Sequence, residues 1–307
     1  MQDAKGGILL VDKEEGETSH DVVEKVRRAL RTRRVGHAGT LDPFATGLLL
    51  IMIGEATKLA PFIAAETKGY DATVRLGIET DTYDRTGKVL RTTSTVQVED
   101  LTIQEVLKGF LGEVKQVPPP YSAIKVRGRR AYKLAREGRA VKLAPRKVRI
   151  HELVATEINL PFIRLWVHCS SGTYVRSLAS DIGKRLGCGA HLAELRRVSI
   201  GPFRVEKAMA SKDLQEKRDV EIRERIISLV DALPHVPSVE MDKEMAKRVR
   251  NGYCPRQDEL DLAEYVSGHG QPFYKLVHKG ELVAIAGLGD TGEGSYSKAL
   301  RLERVFR

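Results

Sequence analysis

Apolar and polar residues alternate along this chain in two rhythms, one of about 3.6 residues and one of two. Gly7 to Val11 is a short apolar run of the kind that forms a buried strand. Thr18 and Asp21 then stand three apart in a capping-box arrangement, and Val22, Val23, Val26 and Leu30 recur at helical spacing, predicting an amphipathic helix. Its far end carries Arg27, Arg28, Arg31, Arg33 and Arg34, cations that suit either the negative end of the helix dipole or a phosphate contact. A loop from Val35 to Gly47 leads into the apolar run Leu48 to Ile53. Beyond it, Tyr70, Ala72, Val74 and Leu76 alternate with Asp71, Thr73 and Arg75 as in a half-buried strand.

Thr102 and Glu105 form a second possible capping box, ahead of Val106, Leu107, Phe110 and Leu111, and the triple proline Pro118 to Pro120 stops regular structure. Strands are expected again at Val148 to Ala155 and Ile163 to Cys169, before a helix with Val175, Leu178, Ala179, Ile182 and Leu186 on one face. Helices and antiparallel-looking strands do not alternate strictly, which argues for an α+β fold on a mixed, largely antiparallel sheet with flanking helices, rather than a doubly wound sheet. A long charged helix is predicted from about Lys212 to Leu233, and the prolines of Pro234 to Ser238 mark the best domain boundary. The expected division is a domain over 1–235, with a basic insertion at about 118–149, and a small β-rich module over 239–307. That module reads as a strand, a Lys279-Gly280 turn and a second strand from Tyr274 to Gly287, closed by a strand at Leu300 to Phe306.

With 307 residues, 42% of them hydrophobic, the chain can bury a sizeable core, which excludes collagen-like, mucin-like and wholly disordered classes. The longest apolar run is far short of a bilayer span and no basic leader with an apolar core opens the chain, so a soluble protein is expected. Three scattered cysteines, Cys169, Cys188 and Cys254, are too few for a disulfide framework or a four-thiolate metal site; they read as buried thiols in a reducing cytoplasm.

Charge changes this picture more sharply. The net charge is +10, and Lys125 to Arg149 alone hold eleven basic residues against the single acid Glu137, which equals the excess of the whole chain. Basicity is therefore a local device. Lys125, Arg127, Arg129, Arg130, Lys133 and Arg136 lead this cluster, with Tyr121 and Tyr132 in or beside it as stacking faces and a short helix expected at Tyr132 to Glu137. Clustered cations give strong, salt-sensitive phosphate binding, and no leucine or aromatic face opposes them as a membrane helix would require. The implied partner is a nucleic acid.

Three further segments carry chemistry when read together: Val35 to Gly47, containing Gly36-His37-Ala38-Gly39-Thr40-Leu41-Asp42-Pro43; Gly69-Tyr70; and Ser170 to Arg176, containing Gly172-Thr173-Tyr174-Val175-Arg176. Singly, each has an ordinary reading. Asp before Pro is usually a turn residue, Gly-Thr-Tyr before a helix a cap, and a lone His a satisfied core imidazole.

Together they resemble the TruB family of tRNA pseudouridine synthases. The resemblance extends through most of the first 235 residues, with Val11-Asp12-Lys13, Thr18-Ser19-His20, Arg75-Leu76-Gly77, Thr80-Asp81-Thr82, Pro118 to Lys125, Gly187 to His191 and Leu195-Arg196-Arg197 in order. Lys13 is followed by Glu14 where the family usually has proline. The C-terminal module resembles, more diffusely, the PUA domain that binds RNA in this family.

The resemblance implies isomerisation of one uridine, position 55 in the T-arm of tRNA, by a stand-alone bacterial-type enzyme without guide RNA, obligatory protein partner, cofactor or metal. By the same likeness Asp42 is the nucleophile, attacking either C6 of the ring or C1′ of the sugar, and Arg176 keeps it ionised and aimed. Tyr70 stacks on the uracil and moves a proton in the last step. Tyr174 lines the pocket, Leu195 contacts the base, His37 helps hold the opened loop, and Lys13 belongs to the substrate-binding set. A uridine within a folded loop must leave the stack to meet Asp42, at roughly a few kcal/mol, which phosphate contacts can offset.

Overall fold

The computed structural model describes residues 6–122, 124–126, 128–137, 143–260, 273–289 and 299–307. The N-terminal apolar run forms β1 (Gly6–Lys13), and α1 (Ser19–Ala29) starts at Thr18 as its spacing predicts. The Thr18 hydroxyl accepts from the Asp21 N–H at 3.1 Å, and the Asp21 carboxylate accepts from the Thr18 N–H at 2.8 Å. The stretch after α1 is not all loop. Val35–Ala38 form β2, an edge strand antiparallel to β3 (Thr46–Gly54), because buried Val35 and Ala38 continue the core that β3 fills.

A 3-10 turn and α2 (Ala60–Ala65) lead into β4 (Lys68–Leu76), the predicted alternating strand. The hairpin of β5 (Ile78–Thr80) and β6 (Val89–Thr92) precedes α3 (Asp100–Lys108). This helix begins earlier than the Thr102–Glu105 spacing predicts. Glu99 is its N-cap residue without a side-chain cap, Thr102 sits inside the first turn, and Leu111, beyond the helix end, is exposed. β7 (Gly112–Gln116) closes the sheet edge before the prolines. In the basic arm, β8 (Lys125–Val126) and β9 (Arg129–Arg130) form a small hairpin and α4 spans Ala131–Arg136. β10 (Arg146–Asn159), β11 (Phe162–Cys169), α5 (Val175–Arg185) and β12 (Ala190–Ile200) follow.

β13 (Phe203–Arg204) turns back on β12, and β14 (Met209–Ala210) adds to β1. The long helix predicted over 212–233 is absent. A 3-10 turn at Lys212–Gln215 and the short α6 (Asp219–Arg223) take its place, because the chain leaves the helical path to exchange hydrogen bonds of 2.8 and 2.9 Å between Ile227 and Ile8. Pairing with the free side of β1 satisfies a buried backbone that a helix there would leave open.

The large sheet runs β14-β1-β3-β12-β4-β11-β10-β7, antiparallel except for β1–β14 and β3–β12, so the mixed α+β expectation holds. α3 and α5 cover its centre through Ile103, Leu107, Leu178 and Ile182, and α1 packs on β1 and β3 through Val22, Val23 and Val26. The C-terminal sheet, β15 (Ser238–Glu240), β16 (Phe273–His278), β17 (Glu281–Gly289) and β18 (Ala299–Val305), carries α7 (Lys243–Arg250). Lys279 and Gly280 both have positive φ, 49° and 74°, as a tight two-residue hairpin needs. Leu282, Ile285 and Phe306 share one apolar cluster with Leu48, Leu50, Leu229, Leu233 and Val236, so the proline-marked junction is packed. Cys169 and Cys188 are buried, but Cys254 is exposed in the turn after α7. Among the described residues, no helix is long and apolar enough to cross a membrane.

Candidate active site

The Asp42 loop is held from behind. Ser19, at the start of α1, donates its hydroxyl to the Leu41 carbonyl at 3.1 Å and accepts from the Leu41 N–H at 2.9 Å. Gly16 N–H reaches the Pro43 carbonyl at 2.8 Å. Lys13, wholly buried at the end of β1, donates to the carbonyls of Glu14 and Glu17, each at 2.8 Å, and of Pro43 at 3.4 Å. Lys13 therefore stands behind the loop as a strut and does not line the cavity. Burial pushes its pKa down, against the nearby carboxylates of Glu17 and Asp42.

Across the cavity, Arg176 occupies the first turn of α5. The cap predicted from Gly172-Thr173 is built differently: Tyr174 is the N-cap residue, and it is the buried Gln116 at the end of β7 that pins it. Gln116 Oε1 accepts from the Tyr174 N–H at 2.8 Å and Gln116 Nε2 donates to the Tyr174 carbonyl at 3.1 Å, whereas the Thr173 hydroxyl turns to the Ser170 carbonyl. Amide donor and acceptor thus satisfy a helix start that lacks a side-chain cap.

Arg176 grips Asp42 with two prongs, Nε to Oδ2 at 2.9 Å and Nη2 to Oδ1 at 3.1 Å. Its remaining N–H groups go to Asp84 Oδ2 and the Thr82 carbonyl, both 3.3 Å from Nη1, and to the Tyr121 carbonyl, 3.0 Å from Nη2. Asp84 is deeply buried, and its Oδ1 accepts from the Thr82 hydroxyl, the Thr86 N–H and the Thr86 hydroxyl at 2.8, 2.9 and 2.6 Å. One guanidinium is thus fixed between two carboxylates, only one of which faces the cavity. Sequence reasoning missed Asp84; the turn-rich run Thr82 to Gly87 was the available signal.

The cavity, about 310 Å³, is lined by Asp42, Lys68, Tyr70, Tyr174, Arg176, Leu195 and Arg197, with Tyr121 and Ser122 from the root of the basic arm. Asp42 keeps 35% of its side chain accessible, toward this space. Burial pushes its carboxyl above the ordinary range, Arg176 pulls it down, and Asp84 adds to the upward push while Lys13 and Arg197 oppose it. Tyr70 comes from β4 and Leu195 from its neighbour β12, where the register sets Leu195 against Ala72. Burial raises both Tyr70 and Tyr174, so each phenol stays neutral.

Arg197 was passed over in sequence reasoning. It is fully buried, donating to the Leu48 carbonyl at 2.8 Å and the Gly39 carbonyl at 2.9 Å, and it hydrogen-bonds Tyr70. It holds both the glycine turn before Asp42 and the ring beside it. A Cβ on Gly47 would lie 2.3 Å from the Arg197 carbonyl oxygen, so the close approach of β3 to β12 requires glycine there. His37 lies on β2 outside the cavity lining; burial, with Arg197 and His20 adding to it, lowers its pKa, and its Nδ1 has no hydrogen-bond partner among the described residues.

In the basic arm, Lys125, Arg129, Arg130 and Lys133 are exposed, and Arg129 pairs with Glu137. Arg127 lies outside the described residues, as do Arg139, Lys142 and the side chain of Arg136. The arm is anchored where it leaves the pocket: Tyr132 N–H bonds the Ser122 carbonyl at 3.0 Å, next to the Tyr121 carbonyl held by Arg176. Among the described residues there is no cluster of His, Cys, Asp and Glu suited to a metal ion. A carboxylate with a fixed cationic partner in such a cavity can, in its ionised form, form a transient covalent bond to an electrophilic ring or sugar carbon.

Profiles of known families match the same region. The TruB family pseudouridylate synthase N-terminal domain covers residues 27–175 and the tRNA pseudouridylate synthase B C-terminal domain covers 176–233, leaving the four-stranded sheet outside both. The chain is 42% identical to tRNA pseudouridine synthase B of Geobacter sulfurreducens over 98% of this chain and 99% of that protein. It is likewise 42% identical to the protein of that name in Geotalea uraniireducens, over 98% and 97%. Among solved structures it is similar to a Cbf5-Nop10-Gar1 complex, with 27% identity, TM-score 0.74, and 98% and 85% coverage. An H/ACA RNP bound to a substrate RNA containing 2′-deoxyuridine gives 25% identity, TM-score 0.72, and 99% and 86% coverage. With the Asp42–Arg176 pair at the head of its cavity, this chain belongs to the TruB family of pseudouridylate synthases.

Proposed function

We propose that this enzyme converts uridine 55 in the T-arm of tRNA to pseudouridine, with Asp42 as nucleophile, after the target nucleotide is flipped out of its loop. The observation that carries the reading is the two-pronged Asp42–Arg176 pair facing a cavity of about 310 Å³. Asp42 adds to C6 of the uracil or displaces the base at C1′; either way the N1–C1′ bond breaks, the ring turns to present C5, C5–C1′ forms, the bond to Asp42 breaks and returns the free carboxylate, and the C5 proton is lost while N1 gains one. Arg176 holds the charge that begins this sequence. Tyr70 and Leu195 both line the space where the ring must turn, and we assign the Tyr70 hydroxyl to relay the C5 proton, passing its own proton on as it accepts this one.

Exposed Lys125, Arg129, Arg130 and Lys133 track the phosphates of the arm, which offsets the cost of flipping. The division at about residue 235 makes the β-rich end a PUA-like RNA-binding module beside the catalytic domain. We assign the enzyme to the cytoplasm, with no cofactor, metal, guide RNA or obligatory protein partner. The test is incubation of the purified protein with an unmodified tRNA transcript and no guide RNA, followed by mapping. Pseudouridine at position 55 alone is expected. Modification that requires an added guide would replace this reading with the guide-directed one that the Cbf5 likeness raises.

A further inference from the structure

Lys68 has no part in the mechanism above, yet its side chain lines the same cavity as Asp42, Tyr70 and Leu195. It opens β4 two residues before Tyr70, so the strand's alternation puts both on one face, about 7 Å apart along the backbone. Only 7% of Lys68 is exposed. Its Nζ donates to the Ala64 carbonyl at 2.7 Å and to the Glu66 carbonyl, at the C-terminal end of α2. Ala64 is itself part of the cavity wall.

Two features set this lysine apart from a simple helix cap. Among the described residues no carboxylate makes an ion pair with it, and Glu66, the nearest in sequence, is engaged by His235 at 3.1 Å. An ammonium has three N–H donors, and the two carbonyls use two. A buried cation that needed only to end a helix would be replaced at little cost by a surface residue, whereas one at the wall of a pocket can offer its third donor to what enters. A flipped base carries ring carbonyl oxygens, acceptors that suit such a donor.

We propose that Lys68 is a specificity-determining residue that donates its free N–H to a ring carbonyl oxygen, O2 or O4, of the flipped uracil, while its other two donors hold α2 as the cavity wall. This rests on the pocket assignment made above. Burial, together with the guanidinium of Arg197, brings its pKa down to about 8, against the opposing influence of Cys169 and Glu66. An ammonium so disposed gains charge stabilisation from an incoming carbonyl. If the contact is to O4, it also disfavours cytosine, whose amino group would turn a donor toward a donor.

The experiment is a double substitution across the contact. Wild type, Lys68→Met and Lys68→Arg are each given full-length tRNA assembled by ligation with uridine, 2-thiouridine or 4-thiouridine at the target position, and isomerised nucleoside is quantified by chromatography. Lys68→Met is expected to lose about tenfold to a hundredfold in kcat/KM on uridine, the range for a hydrogen bond to a charged donor. Sulfur at one of the two positions should slow the wild type yet slow Lys68→Met little further, because a poor acceptor matters only while the donor is present. Lys68→Arg should recover part of the loss. Filter binding of each variant to uridine tRNA keeps folding and RNA affinity in view.

Losses that simply multiply for both thio-substrates, or a Lys68→Met enzyme as active as wild type, would overturn the assignment. Should the methionine variant fail to bind tRNA, Lys68→Leu, which equally lacks the donor, carries the same comparison. Asp42→Asn assayed on uridine tRNA beside these variants separates this outcome from failure of the pocket itself: turnover retained in Asp42→Asn would overturn the pocket, whereas turnover lost there with thio effects that multiply overturns the Lys68 contact alone.

Discussion

Arg176→Met removes the cation on which two carboxylates depend. Asp42 loses both prongs of its partner, and Asp84 is left facing the gap with only its hydroxyl and N–H donors from Thr82 and Thr86. Breaking a buried ion pair from one side costs about 3–5 kcal/mol. Because 35% of Asp42 is accessible, and solvent screens an open side, we expect about 2–4 kcal/mol to be lost from transition-state stabilisation, roughly 30- to 1000-fold in kcat/KM.

A second signature is independent of that magnitude. Burial already raises the Asp42 pKa and Arg176 is the first group pulling it back, so the folded carboxyl takes a proton at higher pH than a free one. Activity needs the ionised form and is lost as pH falls through that raised value. Removing Arg176 must move this acid limb to still higher pH. Arg176→Lys should lie between, since an ammonium keeps the charge but cannot span Asp42 and Asp84 with a planar fork. Tritium release from tRNA carrying C5-labelled uridine, measured from pH 5 to 9, reads both effects. A methionine variant within about threefold of wild type, with its acid limb unmoved, would refute the claim that Arg176 sustains the nucleophile.

Neutralising Lys125, Arg129 and Arg130 together should weaken tRNA binding and reduce the slope of log affinity against log salt by about 2–3, read by filter binding in graded KCl; an unchanged slope would make the arm a solvated loop. Gln116→Leu should cost about 1–3 kcal/mol of stability, because it strips both Gln116 hydrogen bonds from the Tyr174 cap; the Tyr174 carbonyl keeps the Leu178 N–H, but the Tyr174 N–H loses its partner. Denaturant unfolding measures this, and an unchanged midpoint would show that another group caps α5.

The residues that make the cavity were legible in the sequence where they lie in contiguous runs. Asp42 sits in a glycine-bounded turn before proline, and Arg176 in the first turn of a helix with an obvious apolar stripe; local spacing gave only a turn and a helix start, and it was the resemblance of the combined runs to the TruB family that singled out the two side chains. Asp84, Gln116 and Arg197 act through partners distant in sequence: β12 must lie beside β4 before Arg197 meets Tyr70, and α5 must reach Asp84 and Gln116, whereas Lys68 bonds the nearby end of α2 but meets the cavity only once β4 is in place. Periodicity is blind to such partnerships. It also misread 35–38, where Gly36 masks a strand whose need for β3 is tertiary, and 212–233, where helical spacing continues in the sequence although Ile227 is claimed by β1. Capping boxes show the same division. Thr18–Asp21 is realised because nothing competes, whereas Thr102–Glu105 falls inside a helix that starts at Asp100.

Asp42→Asn tests the central claim most directly, since it removes the charge while nearly preserving the shape that Arg176 holds. Under single-turnover conditions with tRNA saturated by enzyme, tritium release from C5-labelled uridine should be abolished while filter binding shows wild-type affinity. Release near the wild-type rate would contradict the account and remove Asp42 from the chemistry.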